Sequence, residues 1–236
     1  MVTAPNPLWN ELAARANVSL SDHQHAQLRK YLQLLFTANE RMNLTRITEP
    51  AAAELLHIAD ALTLLPQLPP GPHRLADVGS GGGVPGIVLA IARPNASVML
   101  IESTQKKAVF LFEAARDLGL ANVTVEPIRA EAAGLNDMRE TFDVAVARAV
   151  AKMNWLVEWL LPLVKPGGVM LAMKGQKARE ELPEAASAIA KLGGGPALSI
   201  DANLAGQDHH VIIRIPKLRP THPRFPRLQH KNIPLS

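Results

Sequence analysis

The stretch DVGSGGGVPG, residues 77–86, follows a short apolar run and precedes a helical apolar pattern. Gly81, Gly83 and Gly86 match the spacing G-x-G-x-x-G, which taken alone is a weak signal for a nucleotide-like ligand. Glycines let the backbone approach a ligand closely, and a following helix offers free N–H groups. The elements on either side of this loop therefore decide its interpretation.

Short apolar runs alternate with helical patterns on both sides of the loop. The runs predict strands at Arg74–Val78, Ser97–Ile101, Asn122–Val125, Phe142–Ala147 and Val169–Met173, and the patterns between them predict helices at Val84–Ala92, Gln105–Leu118 and Met153–Val164. This alternation is typical of an α/β fold with a parallel sheet covered on both faces. After a helix near Ala178–Leu192, the runs Ala197–Ile200 and Val211–Ile215 predict a C-terminal antiparallel pair, which makes seven strands.

The residues before the first strand predict helices only. Ser21 and Gln24 have capping-box spacing, and the apolar periodicity after them predicts a helix to about Met42. A second helix is predicted from Pro50 to Pro66, and the segment PQLPPGP, 66–72, cannot form regular structure. We therefore expect a helical layer at 1–70, an α/β domain at 71–216 and a basic, proline-rich tail at 217–236.

The composition excludes several classes of protein. Of 236 residues, 47% are apolar and only 4% aromatic, so we expect an aliphatic core. The absence of cysteine excludes disulfides, thiolate metal sites and a cysteine nucleophile, and it suits a reducing compartment. We see neither a secretory signal nor an apolar run long enough to cross a membrane, so we expect a cytoplasmic protein.

The positive charge of the chain is concentrated at its C-terminal end. The net charge is +4, six of the 25 basic residues follow Asp208, and none of the 21 acidic residues does. Such a cationic tail either contacts a polyanion or is a solvated terminus. Arg219, Arg224, Arg227 and Lys231 are its candidate phosphate contacts.

Charged residues stand at or just beyond the predicted carboxyl ends of the first five strands: Asp77, Glu102, Glu131, Arg148 and Lys174. In open α/β sheets these ends meet at one edge, where ligands bind. A dinucleotide gains nothing from Asp77, which would repel its phosphates, whereas the cationic S-adenosylmethionine would be attracted. Glu102 suits the ribose hydroxyls of either cofactor, and no P-loop motif is present. The residues favour S-adenosylmethionine.

Several short motifs occur in order along the chain: Asn43-Leu44-Thr45, the helix with His57 and Asp60, the loop 77–86, Glu102 with Lys106-Lys107, Arg129-Ala130-Glu131, Arg148-Ala149 and Lys174-Gly175. Together they resemble the bacterial ribosomal RNA small subunit methyltransferase G family, also called glucose-inhibited division protein B, a family of 16S rRNA guanine-N7 methyltransferases. The match extends from about Leu28 to the basic tail. The glycine loop is shared by most class I methyltransferases, whereas the Pro85-Gly86 ending and the motifs at 43–45 and 148–149 are more particular.

The resemblance implies a class I S-adenosylmethionine-dependent methyltransferase fold, Rossmann-like and preceded by N-terminal helices. It implies a substrate guanine in the 530 loop of 16S rRNA (guanine 527 in the usual rRNA numbering), in the free RNA or the small ribosomal subunit. One departure is Asp60-Ala61-Leu62, where family members often have Asp-Ser-Leu. If that serine contacts RNA, this protein lacks the contact.

Two sets of site residues follow. The cofactor set takes Gly79, Val84, Ala130, Glu131 and Arg148 from the resemblance, Asp77 and Glu102 from the charge argument, and the loop residues Ser80, Gly81 and Gly83. The substrate set is Asn43, His57, Asp60, Lys106, Lys174, Arg219, Arg224 and Arg227. For His57 and Asp60 the alternative is an ordinary pair on a hydrated helix face. For Asn43 it is a helix cap, and for Lys106 a solvated first turn.

Further expectations concern the chemistry and the partners of the protein. Guanine N7 carries an in-plane lone pair, so methyl transfer needs no general base, and Arg148, Lys174 and His57 are candidates for positioning only. His209 and His210 lack an acidic partner at ligand spacing, so we expect no metal, and the three tryptophans are interpreted as packing residues. We expect a monomer. The rival functions are a small-molecule methyltransferase and a nucleic-acid-binding protein with a vestigial cofactor fold.

Overall fold

The computed structural model describes residues 4–148, 151–207, 209–228 and 234–235. Its helical elements are α1 (Pro7–Ala14), α2 (Asp22–Met42), α3 (Pro50–Ala53), a π-helical turn (Glu54–Ala59), α4 (Asp60–Leu62), a 3₁₀ turn (Leu65–Gln67), α5 (Gly86–Ala92), α6 (Gln105–Asp117), α7 (Ala130–Ala133), α8 (Met153–Leu160) and α9 (Ala178–Lys191). Its strands are β1 (Arg74–Val78), β2 (Ser97–Ile101), β3 (Val123–Glu126), β4 (Phe142–Arg148), β5 (Val164–Gly175), β6 (Leu198–Asp201) and β7 (His210–Pro216).

The strands form one seven-stranded sheet in the order β3-β2-β1-β4-β5-β7-β6. The first five strands are parallel, and β7 pairs antiparallel with both β5 and β6. This confirms the predicted α/β fold and its antiparallel C-terminal pair. The strand order reverses at β1, which lies between β2 and β4, and ligands in such sheets bind beyond the carboxyl ends at this point. Here those ends are Val78 and Arg148.

The two faces of the sheet bury separate apolar clusters. Along β4, Val144 and Val146 pack towards α5 and the N-terminal helices, whereas Ala145 and Ala147 pack towards α8 and α9. This alternation follows from the two-residue repeat of a strand. Among the described residues the largest fully buried side chains include Trp9, Tyr31 and Phe142, and most others are aliphatic, which confirms the predicted kind of core.

The N-terminal helices share an apolar cluster with the sheet. Leu28 and Leu35 of α2, together with Ile58 of the π turn, are buried in the same cluster as Leu75 of β1. The predicted capping box is present, because Ser21 Oγ accepts from Gln24 N and Gln24 Oε1 accepts from Ser21 N. The helices therefore have one fixed position over the sheet face next to the glycine loop.

In the α/β domain, two elements begin two or more residues away from their predicted starts. The helix predicted from Val84 begins at Gly86, since the Gly86 N–H is bonded to the Asp77 carboxylate and the preceding Pro85 has no N–H. The fifth strand begins at Val164, five residues before its predicted start at Val169. Gly167 has a positive φ (89°), and the pairing slips from Phe142–Val164 to Val144–Val169 to accommodate the extra residues.

The single helix predicted from Pro50 to Pro66 is divided into an α turn, a π turn and another α turn. A π turn inserts one residue into the helical repeat, so side chains after it face a different direction from that expected at 3.6 residues per turn. His57 and Asp60 are only 2% and 4% exposed as a result. The alternative of a hydrated face for this pair is therefore wrong.

The first part of the basic tail packs against the domain. Lys217, Thr221 and Phe225 are buried, and the Lys217 ammonium donates to Leu161 O at 2.6 Å. The Arg227 guanidinium binds both oxygens of the buried Glu158 carboxylate at 2.6–2.7 Å. Lys231 lies outside the described residues, as does Ala149. Within the described ranges, no helix is long and apolar enough to cross a membrane.

A substitution at Gly86 tests how closely the glycine loop packs against β1 and β2. A Cβ atom there would lie 2.3 Å from Leu100 Cδ2 and 2.6 Å from Asp77 Oδ2, whereas one at Gly71 would meet nothing within 4 Å. We expect Gly86→Ala to lower the free energy of unfolding by about 1–3 kcal/mol, as overpacking does. Gly71→Ala should change it by less than about 1 kcal/mol. Urea denaturation measures both, and equal stability of the two variants would contradict this account of the loop.

Candidate active site

A cavity of about 610 Å³ lies at the carboxyl edge of the sheet. Its floor is the glycine loop, from Gly79 to Val84, and one wall is formed by Arg148 and residues 173–175 at the ends of β4 and β5. The opposite wall comes from the turn after α2, residues 44–47, and from the π turn, while residues 210–212 of β7 close a third side. A volume of this size suits a small molecule or a cofactor together with one base.

Side chains from α2 and from the end of β2 hold the glycine loop. Tyr31 of α2 donates its hydroxyl to Gly82 O at 2.7 Å. Glu102, just after β2, accepts from Gly81 N at 2.9 Å and, through its other oxygen, from Thr104 N at 2.7 Å. Gly79, Gly81 and Gly83 have positive φ angles of 71°, 56° and 98°, which other residues adopt only with strain. The floor of the cavity is therefore preorganised.

Asp77 holds the loop from below and does not line the cavity. Its side chain is 1% exposed, and Oδ2 accepts from Gly86 N at 2.9 Å. Burial raises the pKa of the Asp77 carboxyl to about 7, against the opposing effects of the Gly86 N–H and the Arg148 guanidinium. Oδ1 has no partner among the described residues. Any effect of Asp77 on a cationic ligand therefore acts through the loop backbone or at a distance.

Arg148 connects the end of β4 to the π turn. Its Nη1 donates to Leu56 O at 2.7 Å and lies 3.7 Å from Asp60 Oδ2. Its Nη2 lies 3.3 Å from His57 Nδ1. The guanidinium therefore contacts three groups of the segment from Leu56 to Asp60, and it joins that segment to the end of the central strand.

His57 is neutral in this setting. Burial and the neighbouring Arg148 guanidinium lower the pKa of His57 to about 4. Its second ring nitrogen, Nε2, lies 3.0 Å from Thr45 Oγ1 in the turn after α2. His57 therefore links the π turn to that turn and is not poised to exchange a proton near neutral pH.

Asp60 has a second partner that the sequence did not indicate. His210, at the start of β7, places Nδ1 2.9 Å from Asp60 Oδ1, and this hydrogen bond raises the pKa of His210. No acidic residue stands at ligand spacing from His210 in the sequence, and this partner was not predicted because it lies 150 residues away. In the part of the chain that the structure describes, no group of three or more potential ligands could hold a metal ion.

Lys174 lines the cavity from the end of β5, and its ammonium is already paired. It lies 2.6 Å from Glu181 Oε2 and donates to Ala151 O at 3.0 Å. The exposed Arg46 also lines the cavity and was not among the predicted residues. Arg46 therefore adds positive charge to the cavity, whereas the charge of Lys174 is offset by Glu181.

The remaining predicted residues lie outside the cavity lining. Asn43 is exposed and ends α2 in a left-handed conformation (φ 51°), which is the helix-cap alternative. Lys106 is exposed in the first turn of α6, and Arg219 and Arg224 are exposed on the tail. Ala130 and Glu131 begin α7, and Glu131 lines a separate groove with Arg129, Trp155 and Trp159. Of the tryptophans, only Trp9 is fully buried as a packing residue, and the other two are half-buried.

The residues at this edge fit S-adenosylmethionine. The loop exposes backbone at Gly79, where a phosphate-free ligand can approach, and the cavity is continuous with it. Each oxygen of Glu102 accepts one backbone N–H and retains a lone pair that can accept from a ribose hydroxyl. Glu102 gives the edge a negative side, and Arg148 gives it a positive side that suits a carboxylate or a base. An amino acid joined to a nucleoside needs this combination.

Solved structures place the fold among class I methyltransferases. A 16S rRNA (adenine(1408)-N(1))-methyltransferase from Catenulisporales acidiphilia superposes with a TM-score of 0.51 at 14% identity, covering 63% of this chain and 89% of that one. Ribosomal protein L11 methylase from Lactobacillus delbrueckii subsp. bulgaricus gives 0.51 at 20% identity, covering 68% and 78%. The sheet and loop described above are thus those of this class.

Sequence comparison narrows the class to a family. Residues 24–211 match the family described as rRNA small subunit methyltransferase G. The protein of that name from Sorangium cellulosum is 48% identical over 187 residues, covering 78% of this chain and 77% of that protein. The one from Lactobacillus johnsonii is 40% identical over 219 residues, covering 91% and 92%. The chain belongs to the rRNA small subunit methyltransferase G family, and the resemblance seen in its motifs is confirmed.

Proposed function

We propose that this protein transfers a methyl group from S-adenosylmethionine to N7 of a guanine in the 530 loop of 16S rRNA. The observation that carries the proposal is the shared cavity. The glycine loop forms its floor, and the turn and π turn of the N-terminal helices, which fall within the family match, form its wall. A cofactor on the floor and a base inserted from the mouth would meet there.

The chain's own residues supply the places for the cofactor. Gly79, Gly81 and Val84 line the cavity, and Glu102 lies beside the loop. Ala130 and Glu131 at the start of α7 remain candidates for the adenosine end. When bound, the cofactor supplies an electrophilic methyl group on a sulfonium.

Attack by guanine N7 requires alignment and no proton removal, because N7 already has an in-plane lone pair. His57 is suited to aligning the guanine, since it is neutral, buried and held between Arg148 and Thr45. The major groove of A-form RNA is too deep and narrow for side chains, so the guanine enters unpaired. Holding it in line with the methyl group is then the main contribution of the protein.

The three parts of the chain divide the work in this proposal. Residues 1–70 present the turns that contact RNA, residues 71–216 bind the cofactor, and residues 217–236 contact phosphates. Arg46, which lines the cavity, and the exposed Lys106, Arg219 and Arg224 are the candidate RNA contacts. Lys174 is already paired with Glu181, Arg227 with Glu158, and Asp60 with Arg148 and His210, so their support is indirect. We expect a monomer that acts in the cytoplasm.

Mapping the product tests the proposal directly. Purified protein is incubated with S-adenosylmethionine and small ribosomal subunits, or free 16S rRNA, from cells that lack it. We expect one new N7-methylguanine in the 530 loop, located by mass spectrometry of RNase fragments, and none without the protein. Methylation of another atom or another region would contradict the proposal. Methyl transfer to small acceptors without RNA would favour the small-molecule alternative.

The pH profile tests the role of His57. Because the pKa of His57 is lowered to about 4, it stays neutral from pH 6 to 8.5 and contributes no step to the single-turnover rate. His57→Ala should slow the reaction, on the order of 10²-fold, through misplacement of the base. Its rate should follow the same pH dependence as the wild type. A step near pH 6.5 that is present in the wild type and lost in the variant would instead indicate proton transfer by His57.

The salt dependence of RNA binding tests the tail. If Arg219 and Arg224 contact phosphates, replacing both with Gln should reduce the slope of log Kobs against log salt by roughly 0.7–0.9 for each lost contact. Arg116→Gln is the matched control, because Arg116 is an exposed arginine whose partner is the adjacent Asp117 at the far end of α6. Affinity for the cofactor should not change in either protein. Equal slopes for the wild type and both variants would show that the tail is a solvated terminus.

A further inference from the structure

The protonation state of His57 is fixed by its neighbours. An arginine guanidinium can only donate hydrogen bonds, so His57 Nδ1, 3.3 Å from Arg148 Nη2, must be the acceptor. The proton of the neutral ring is therefore on Nε2. Nε2 lies 3.0 Å from Thr45 Oγ1 and donates to it.

The hydroxyl oxygen of Thr45 then accepts two hydrogen bonds. One comes from His57 Nε2, and the other from the backbone N–H of Ile47 at 3.0 Å. A hydroxyl has two acceptor lone pairs and one donor hydrogen, so Oγ1 has no acceptor capacity left. The O–H hydrogen has no acceptor among the described residues, and Thr45 lines the cavity. Thr45 thus offers the cavity a hydrogen-bond donor and nothing else.

The position of this donor is also fixed. Thr45 follows the end of α2, and its backbone N–H donates to the Asn39 side-chain oxygen at 2.8 Å. Its hydroxyl is held from one side by the π turn and from the other by the next turn of chain. Because the Thr45 hydroxyl is held in place and can act only as a donor, it can discriminate between a base that presents an acceptor and a base that presents a donor.

We propose that the Thr45 hydroxyl donates to O6 of the target guanine and so selects guanine over adenine; this rests on the proposed function. N7 and O6 are adjacent acceptors on one edge of guanine, and adenine presents an amino donor in place of O6. N7 must keep its lone pair for the methyl group, so the donor serves O6. An adenine in the same position would place its amino group against the Thr45 O–H, with no acceptor available to either.

The experiment pairs a protein change with a base change. Small subunits are reconstituted with 16S rRNA that carries either guanine or 2-aminopurine at the target position, because 2-aminopurine keeps N7 and lacks O6. Single-turnover methylation by the wild type should be about 10- to 100-fold slower on 2-aminopurine. The Thr45→Val variant should methylate guanine more slowly than the wild type does, by about the same factor. On 2-aminopurine it should be little slower than the wild type, and Thr45→Ser should restore the preference for guanine. The melting temperature and the cofactor Kd of each variant are measured alongside.

The outcomes separate the inference from the function on which it rests. If the wild type methylates guanine N7 but the losses from Thr45→Val and 2-aminopurine multiply, Thr45 does not contact O6 and the inference is wrong. A raised cofactor Kd in Thr45→Val, with multiplying losses, assigns the donor to the cofactor carboxylate and also overturns it. If the wild type does not methylate the guanine N7 at all, the proposed function fails first, and the inference fails with it.

Discussion

The site depends on the placement of one guanidinium. Arg148 stands at the end of the central strand β4, mostly enclosed, with its side chain 23% exposed beside an Asp60 side chain that is 5% exposed. A charge in such a position must be compensated, because removing one partner of a buried ion pair costs about 3–5 kcal/mol. Its compensating groups, Leu56 O, His57 Nδ1 and the Asp60 carboxylate, all belong to one segment before the sheet. The N-terminal helices are thus held at the sheet edge by an electrostatic requirement as well as by apolar packing.

The same guanidinium sets the ionisation of its surroundings. It lowers the pKa of His57 further than burial alone does, and it opposes the rise in the pKa of Asp77. The pair of Asp60 with His210 shares the carboxylate that faces Arg148, so β7 is joined to the same network. This network joins four separate parts of the chain: residues 45, 57–60, 148 and 210. A change in one part therefore alters the cavity wall.

Local patterns in the sequence were sufficient for most of the fold. Apolar alternation gave β1 and β2 with their observed bounds, and the charges at strand ends indicated the edge where Arg148 and Lys174 line the cavity. Those patterns extend over a few residues, so they could not reveal contacts between distant ones. Tyr31 with Gly82, Arg148 with Leu56 and His210 with Asp60 are 51, 92 and 150 residues apart. The sequence did not predict the π turn for a related reason. One inserted residue leaves the composition of a helix unchanged, although it turns His57 inwards.

Fixing a histidine tautomer has a consequence for the kind of catalysis available. With Nδ1 accepting from Arg148 and Nε2 donating to Thr45, both ring nitrogens of His57 are engaged, and the ring has no site for a substrate proton. His57 therefore cannot act as the base in a reaction that needs one, whereas a reaction at an atom with a ready lone pair needs only a rigid surface against which to align. The glycine loop, held by Asp77, Glu102 and Tyr31, makes the opposite surface equally rigid. Rigid walls suit N7 methylation, which removes no proton, whereas methylation of an oxygen or an amine, whose acceptors must lose a proton, would need a base other than His57.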